Sequence, residues 1–175
     1  MPKIVEPVVS SVCYLGIDPG KSGGLAVVKD KKVLDYWEMP PSVLDLWNVF
    51  LTIDKKYAPA HCYLEQVQSM PNEGHKGAFT FGMNFGRLQA FLAAIGFPHS
   101  QVTPQAWQKQ MLIVSKKKTE TRPQFKERLR VKAQQLFPDI PLWKQPRTVG
   151  KQRAICDAIL LAESCRRAQE FKKGN

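Results

Sequence analysis

The stretch Tyr14-Leu15-Gly16-Ile17-Asp18-Pro19-Gly20, continued by Ser22-Gly23-Gly24-Leu25-Ala26-Val27, decides how the rest of the chain is read. An apolar run that ends on an acid and a Pro-Gly pair makes Val12 to Asp18 a strand with a carboxylate at its end. Gly24 to Lys29 and Lys32 to Glu38 read as two further strands, with Asp30 and Lys31 between them as a tight hairpin. The chain thus opens on a three-strand meander, not on a β-α-β unit.

Working outward, Pro40 and Pro41 open a helix in which Val43, Leu44, Leu46, Trp47, Phe50 and Leu51 recur near helical period. His61 to Val67 is a strand, apolar for most of its length up to Glu65, as expected where both faces are buried. A loop from Ser69 to Gly77 precedes a long helix from Ala78 to Ile95, stopped by Gly96 and Pro98. Gly82, Gly86, Ala90, Ala93 and Ala94 lie along one side of that helix and permit close helix approach, within the molecule or across a dimer. His99 to Thr103 is a strand leading through Pro104 into a short helix containing Trp107. Arg122 to Phe137 is a basic helix, Pro138, Pro141 and Pro146 interrupt the chain, and a final helix runs from Val149 to Phe171. The order β-β-β-α-β-α-β-α-α-α predicts an α/β fold: a mixed central sheet, with an antiparallel meander followed by parallel strands, flanked by helices. At 175 residues one domain is expected, spanning 1–175 with an irregular start over 1–11.

The chain carries 26 Lys and Arg against 15 Asp and Glu, a net +11 that points to a polyanionic partner. Residues 1–108 hold nine basic and nine acidic side chains, whereas 109–153 hold thirteen against three, so the excess is confined to one segment. A solubilising surface spreads its charge; a phosphate-binding face concentrates it. The bland reading of such a run is a solvated helix face, but Lys116, Lys117 and Lys118 with few acids nearby favour nucleic acid. There is no apolar run of about 18 residues, and Pro2 and Pro7 break any signal core. A protein without membrane contact that stays where it is made, in the cytoplasm, is expected. Cys13, Cys62, Cys156 and Cys165 stand singly among apolar residues, which suits buried free thiols in a reducing compartment better than zinc or disulfides.

Three acids sit in apolar surroundings: Asp18 at the end of the first strand, Glu65 at the end of the fourth, and Asp157 between Cys156 and Ala158. Burying a carboxylate costs several kcal/mol unless it is paired or metal-bound. If the first and fourth strands are neighbours and the final helix packs beside them, the three converge. Oxygen ligands so gathered suit Mg²⁺ or Mn²⁺, and a pair of such ions can activate water and stabilise the leaving oxygen in phosphodiester cleavage. Each acid also has a local reading. Asp18 is a turn residue before Pro19-Gly20, Glu65 can pair with a buried Arg, and Asp157 can pair with Arg153 one helical turn earlier.

The opening motif, the strand Tyr63-Leu64-Glu65-Gln66-Val67, the glycines Gly82, Gly86 and Gly96, and Asp157-Ala158-Ile159-Leu160-Leu161-Ala162 together resemble RuvC-type Holliday junction resolvases, members of the RNase H-like (retroviral integrase) superfamily. The resemblance spans about residues 12 to 165. It is closest in style to the phage and plastid branches, which share patterns like Thr80-Phe81-Gly82-Met83-Asn84-Phe85-Gly86, Trp107 with Lys109, and Leu136-Phe137-Pro138-Asp139. The resemblance implies an RNase H-like fold and an endonuclease that cuts four-way DNA junctions as a homodimer, with no small-molecule cofactor. It would place the protein in a bacterial nucleoid or phage-infected cell, with an organelle as the alternative. Asp18, Glu65 and Asp157 would be its catalytic metal ligands, holding two Mg²⁺ ions, with Mn²⁺ able to substitute. Lys76, Lys116, Lys117, Lys118, Arg122, Lys126, Arg147 and Lys151 would meet DNA. Similarity to the plastid branch further implies a basic residue at the scissile phosphate, Lys126 or Lys151.

Two departures from the bacterial pattern stand out. Ala154 occupies the position of a usual fourth acid, and Glu163 lies about 240° round the helix from Asp157 and cannot replace it. Gln68 stands where bacterial members carry an aromatic, so Phe79, Phe81 or Met70 would supply any wedge into an opened junction; for Phe79 and Phe81, helix packing is the alternative. Three rival functions remain: a nuclease on other branched DNA or structured RNA, a junction binder without catalysis, and an actin-like phosphotransferase. The last needs two lobes, and 175 residues are too few.

Overall fold

The computed structural model describes residues 12–66, 75–144 and 149–173. A five-stranded sheet is built from β1 (Tyr14–Asp18), β2 (Gly24–Lys29), β3 (Lys32–Glu38), β4 (His61–Glu65) and β5 (His99–Val102), in the order β3-β2-β1-β4-β5. The first three strands form the expected antiparallel meander, and β4 and β5 add in parallel beyond β1. Asp30 and Lys31 take positive φ, 45° and 62°, the geometry of a two-residue hairpin whose twist matches its strands.

Helices α1 (Val43–Tyr57), α2 (His75–Ile95), α3 (Pro104–Gln110), α4 (Arg122–Leu136) and α5 (Val149–Lys173) cover the sheet. Helix α2 begins three residues ahead of the Ala78 expected from sequence, so Gly77 is inside the helix rather than in the preceding loop. A short 3-10 turn, Pro141–Lys144, fills part of the proline-rich interval before α5.

Alternation along the strands divides the core in two. Leu15, Ile17, Leu25, Val27, Cys62 and Leu64 face α1 and α2, packing on Phe50, Ile53, Leu88 and Leu92. Tyr14, Ala26, Val28 and Tyr63 face the other way, onto Ile155, Ala158, Ile159 and Ala162 of α5 and onto Trp107 of α3. Helix α5 is buried without a break from Ile155 to Arg166, since the sheet covers one side and α3 and α4 the other. It approaches β1 at Gly16, where no side chain would fit. All four cysteines are free and buried.

The stripe Gly82, Gly86, Ala90, Ala93, Ala94 on α2 is exposed, and nothing among the described residues approaches a Cβ placed at Gly82 or Gly86. Among the described residues, then, no close packing within the molecule uses Gly82 or Gly86. Among the described residues no helix is long and apolar enough to cross a membrane.

Candidate active site

Because side chains alternate along a strand, Asp18 shares the α5 face with Tyr14 and Gly16, and Glu65 shares it with Tyr63. Strands β1 and β4 pair in parallel up to Ile17 and Leu64, so the two acids stand side by side at the carboxyl ends of neighbouring strands. Asp157 reaches the same place from α5, one residue before Ala158, which lies over Gly16. All three are buried, with exposures of 8% for Asp18, 7% for Glu65 and 4% for Asp157.

The turn after β1 is built around the Asp18 carboxylate. Gly20 donates its backbone N–H to Oδ1 at 3.0 Å, and Gly23 closes the turn onto the Gly20 carbonyl at 2.8 Å. A Cβ at Gly23 would fall 2.2 Å from the Asp18 carbonyl oxygen and 2.8 Å from its Cγ, so only glycine lets the chain fold back over the acid. The turn reading of Asp18 and its convergence with the other acids hold together.

Glu65 accepts a 2.8 Å hydrogen bond at Oε1 from the indole Nε1 of Trp107, a fully buried side chain. The partner is thus an indole rather than the arginine considered from sequence. Asp157 takes the ammonium of Lys126 at Oδ2 and the Cys156 thiol at Oδ1. Arg153 is engaged elsewhere, with Glu127 at 3.1 Å, so the pairing within the helix does not form.

Lys126 acts on all three carboxylates and Arg122 adds its charge at Asp18, yet the electrostatics show a deficit. Burial first, and the charge of Asp157 next, push Asp18 up to about 6, although Lys126, the Gly20 N–H and Arg122 work against the rise. Burial and Asp18 push Glu65 up to about 8, opposed chiefly by the Trp107 hydrogen bond. Lys126 is driven down by burial but lifted further by Asp157 and Asp18, so it stays charged. Among the described residues no three Asp, Glu, His or Cys side chains stand close enough to hold an ion as placed. The donor set nevertheless fits a hard divalent cation: every donor is a carboxylate oxygen, and two of the groups lack the positive charge that their burial demands.

The basic residues divide by position. Arg122 and Lys126, one turn apart on α4, both act on Asp18. Lys116, Lys117 and Lys118 lie exposed in a turn before α4, where Glu120 accepts from the Lys117 backbone at 3.2 Å and from both Nε and Nη2 of Arg128 at 2.7 and 2.9 Å. Lys151 is exposed and stands 3.5 Å from Glu38, the last residue of β3. Phe81 stacks on Phe85 with centroids 6.2 Å apart, while Phe79 is 70% exposed. Lys76, Arg147, Gln68 and Met70 lie outside the residues whose side chains are described. Glu163, set aside on helical phase, pairs instead with Arg166 and Arg167, each at 2.7 Å.

No protein-family model matches the chain, and no curated protein matches it by sequence. Solved structures do. A Thermus thermophilus RuvC in complex with a Holliday junction substrate superposes with a TM-score of 0.63 at 15% identity, over 91% of this chain and 96% of that one. Another Thermus thermophilus RuvC structure gives 0.61 at 15% identity, over 92% and 97%. The yeast mitochondrial Holliday junction resolvase Ydc2 gives 0.55 at 18% identity, over 91% and 80%. The chain has the RNase H-like fold of RuvC-type resolvases.

Proposed function

We propose that this protein is a divalent-metal-dependent endonuclease that resolves four-way DNA junctions. The observation that carries the reading is the convergence of Asp18, Glu65 and Asp157 at the carboxyl ends of β1 and β4, on a fold shared with a RuvC solved on its junction. The resolvase likeness alone supports the fold; the buried carboxylates support hydrolysis.

In this reading Asp18, Glu65 and Asp157 hold Mg²⁺ or Mn²⁺, two ions per site, which when bound supply an activated water and neutralise the departing 3′ oxygen. Asp18 is presented by its glycine turn, and Asp157 by the seat of α5 on β1. Lys126 neutralises Asp157 in the free protein. Its ammonium, held among the acids, is a better candidate for the scissile-phosphate contact than Lys151, whose exposed ammonium pairs with Glu38 at the end of β3. Arg122, Lys116, Lys117 and Lys118 extend the positive surface away from the site and position backbones without reading sequence; Lys76, Arg147 and Lys151 belong to the same assignment. Phe79, exposed at the start of α2, is the stronger wedge candidate, since Phe81 is engaged with Phe85.

Paired cuts need two sites, and we assign the homodimer contact to the exposed apolar face of α1 and α2. There Val43, Leu44, Trp47, Ala90, Phe91 and Ala94 line an open groove beside the small-residue stripe. The deciding experiment is cleavage of a synthetic four-way junction with Mg²⁺ or Mn²⁺, set against a matched duplex and an RNA hairpin, with cuts mapped on all four strands. Symmetric cuts in the junction alone support the reading. Tight binding without cleavage in either metal overturns it in favour of a junction-binding protein, and preferential cutting of the hairpin in favour of an RNA nuclease.

A further inference from the structure

We infer that Trp107 is a positioning residue for the Glu65 carboxylate, fixing one oxygen so that the other is presented to the cation; the inference rests on the metal-site reading above. The geometry is built by the strand-to-helix turn after β5. Glu65 pairs with Val102 across the β4–β5 ladder, and the Gln66 N–H continues it to the Val102 carbonyl at 2.7 Å. Thr103 then caps α3, accepting from the Ala106 N–H at 3.3 Å, with Pro104 at the first turn. Five residues after Val102, the first turn of α3 thus returns Trp107 to Glu65, so the ladder partner of the acid also determines where the indole falls.

The chemistry of the pair is one-directional. An indole N–H only donates, so it binds an ionised carboxylate oxygen without offering a proton acceptor of its own. A hydroxyl or an imidazole at the same place could reverse the bond or take up a proton. The bond goes to Oε1, and Trp107 is fully buried in the core cluster that holds Tyr63, Met111 and the α5 side chains. Volume alone does not require tryptophan here, because a phenylalanine would fill much of the same apolar space. Second-layer partners that orient metal-binding groups typically alter metal affinity or activity about 10- to 100-fold when removed.

The test compares Trp107→Phe with Trp143→Phe. Trp143 donates an indole hydrogen bond of 2.7 Å to the Phe137 carbonyl, a backbone group, and so controls for loss of an indole bond as such. Mn²⁺ binding to the full-length protein, followed by the EPR signal of the free ion, should weaken about tenfold in Trp107→Phe and stay at the wild-type value in Trp143→Phe. Junction affinity measured in EDTA should be unchanged in both. If Trp107→Phe does not fold, benzothienylalanine introduced at position 107 replaces the N–H by sulfur with little change of shape and serves the same comparison. Wild-type Mn²⁺ affinity in the position-107 variant overturns the inference, as does an equal loss in Trp143→Phe. Wild-type protein that binds no Mn²⁺ overturns both the inference and the metal site. Wild-type protein that binds Mn²⁺ but cuts no junction overturns only the resolvase reading, and the comparison of variants stands.

Discussion

Gly16 on β1 and Ala158 on α5 are in contact with no space between them: a Cβ at position 16 would lie 2.2 Å from the Ala158 carbonyl oxygen and 2.3 Å from the Ala162 N–H nitrogen. Both obstacles are backbone, so the clash is relieved only by moving the helix. The same close approach holds Asp157 beside Asp18. Gly16→Ala is therefore expected to destabilise the protein by about 1 to 3 kcal/mol, the usual range for overpacking. Cleavage should fall even at temperatures where the variant remains folded, because the shifted helix carries Asp157 with it. Chemical denaturation and junction cleavage on the same preparation check this. An unchanged denaturation midpoint would mean that α5 is free to rise off the sheet.

Asp18→Asn separates binding from cutting. The amide keeps the shape of the turn and can still accept from the Gly20 N–H, but it is a poor ligand for a hard cation and removes a negative charge from a surface that receives phosphates. Junction cleavage should drop to background, while electrophoretic binding is retained or tightened. Full cleavage by this variant, with unaltered metal dependence, is the outcome that removes Asp18 from the site.

Much of this arrangement is legible in the sequence because local rules agree. The alternation Tyr14, Gly16, Asp18 and Tyr63, Glu65 fixes which face each acid takes, and Asp30-Lys31 marks the hairpin. The partners are less accessible. Trp107 is 42 residues from Glu65 and Lys126 is 31 from Asp157, separations that no periodicity reports. Arg153 is the natural partner for Asp157 by helical spacing, and Glu127 on α4 draws it away. The seat of α5 does leave a cue in the chain: a glycine inside a buried strand, and alanines four apart on the last helix, together mark a close backbone approach.

The raised carboxylates make a prediction about stability in EDTA. Asp18 at about 6 and Glu65 at about 8 hold protons in the folded protein that they lose near pH 4 when unfolded. Between those values the unfolded chain binds fewer protons than the folded one, so unfolding free energy falls as pH rises from about 4.5 to 8. Asp157 and Lys126 face the same groups, with the lysine charged throughout. Glu127 and Glu163, held low by their arginines, act below this window. His61, shifted down by burial, contributes in the opposite direction near its own titration. The double variant Asp18→Asn, Glu65→Gln keeps His61 and removes the acids, so the difference between its denaturation curve and that of the wild type isolates them. Saturating Mg²⁺ should flatten the wild-type fall. A stability that climbs through this range relative to the double variant contradicts the buried-acid picture.

Lys116, Lys117 and Lys118 are predicted to act on affinity alone. Glu120 and Arg128 hold their turn in place, with Lys116 Nζ adding a 2.7 Å bond to the Glu120 carbonyl, so replacing all three by Gln removes one local bond and leaves the Glu120–Arg128 pair intact. Each phosphate that is no longer neutralised should lower the slope of log K against log salt by about 0.9, so the triple variant should flatten it by up to about 3. The drop in affinity should be similar for junctions of different sequence, because backbone contacts carry no base information. Saturating junction should restore the wild-type cleavage rate, since the three lysines lie outside the carboxylate cluster. A triple variant that binds normally but cuts slowly would move these lysines from the phosphate path to the reaction itself.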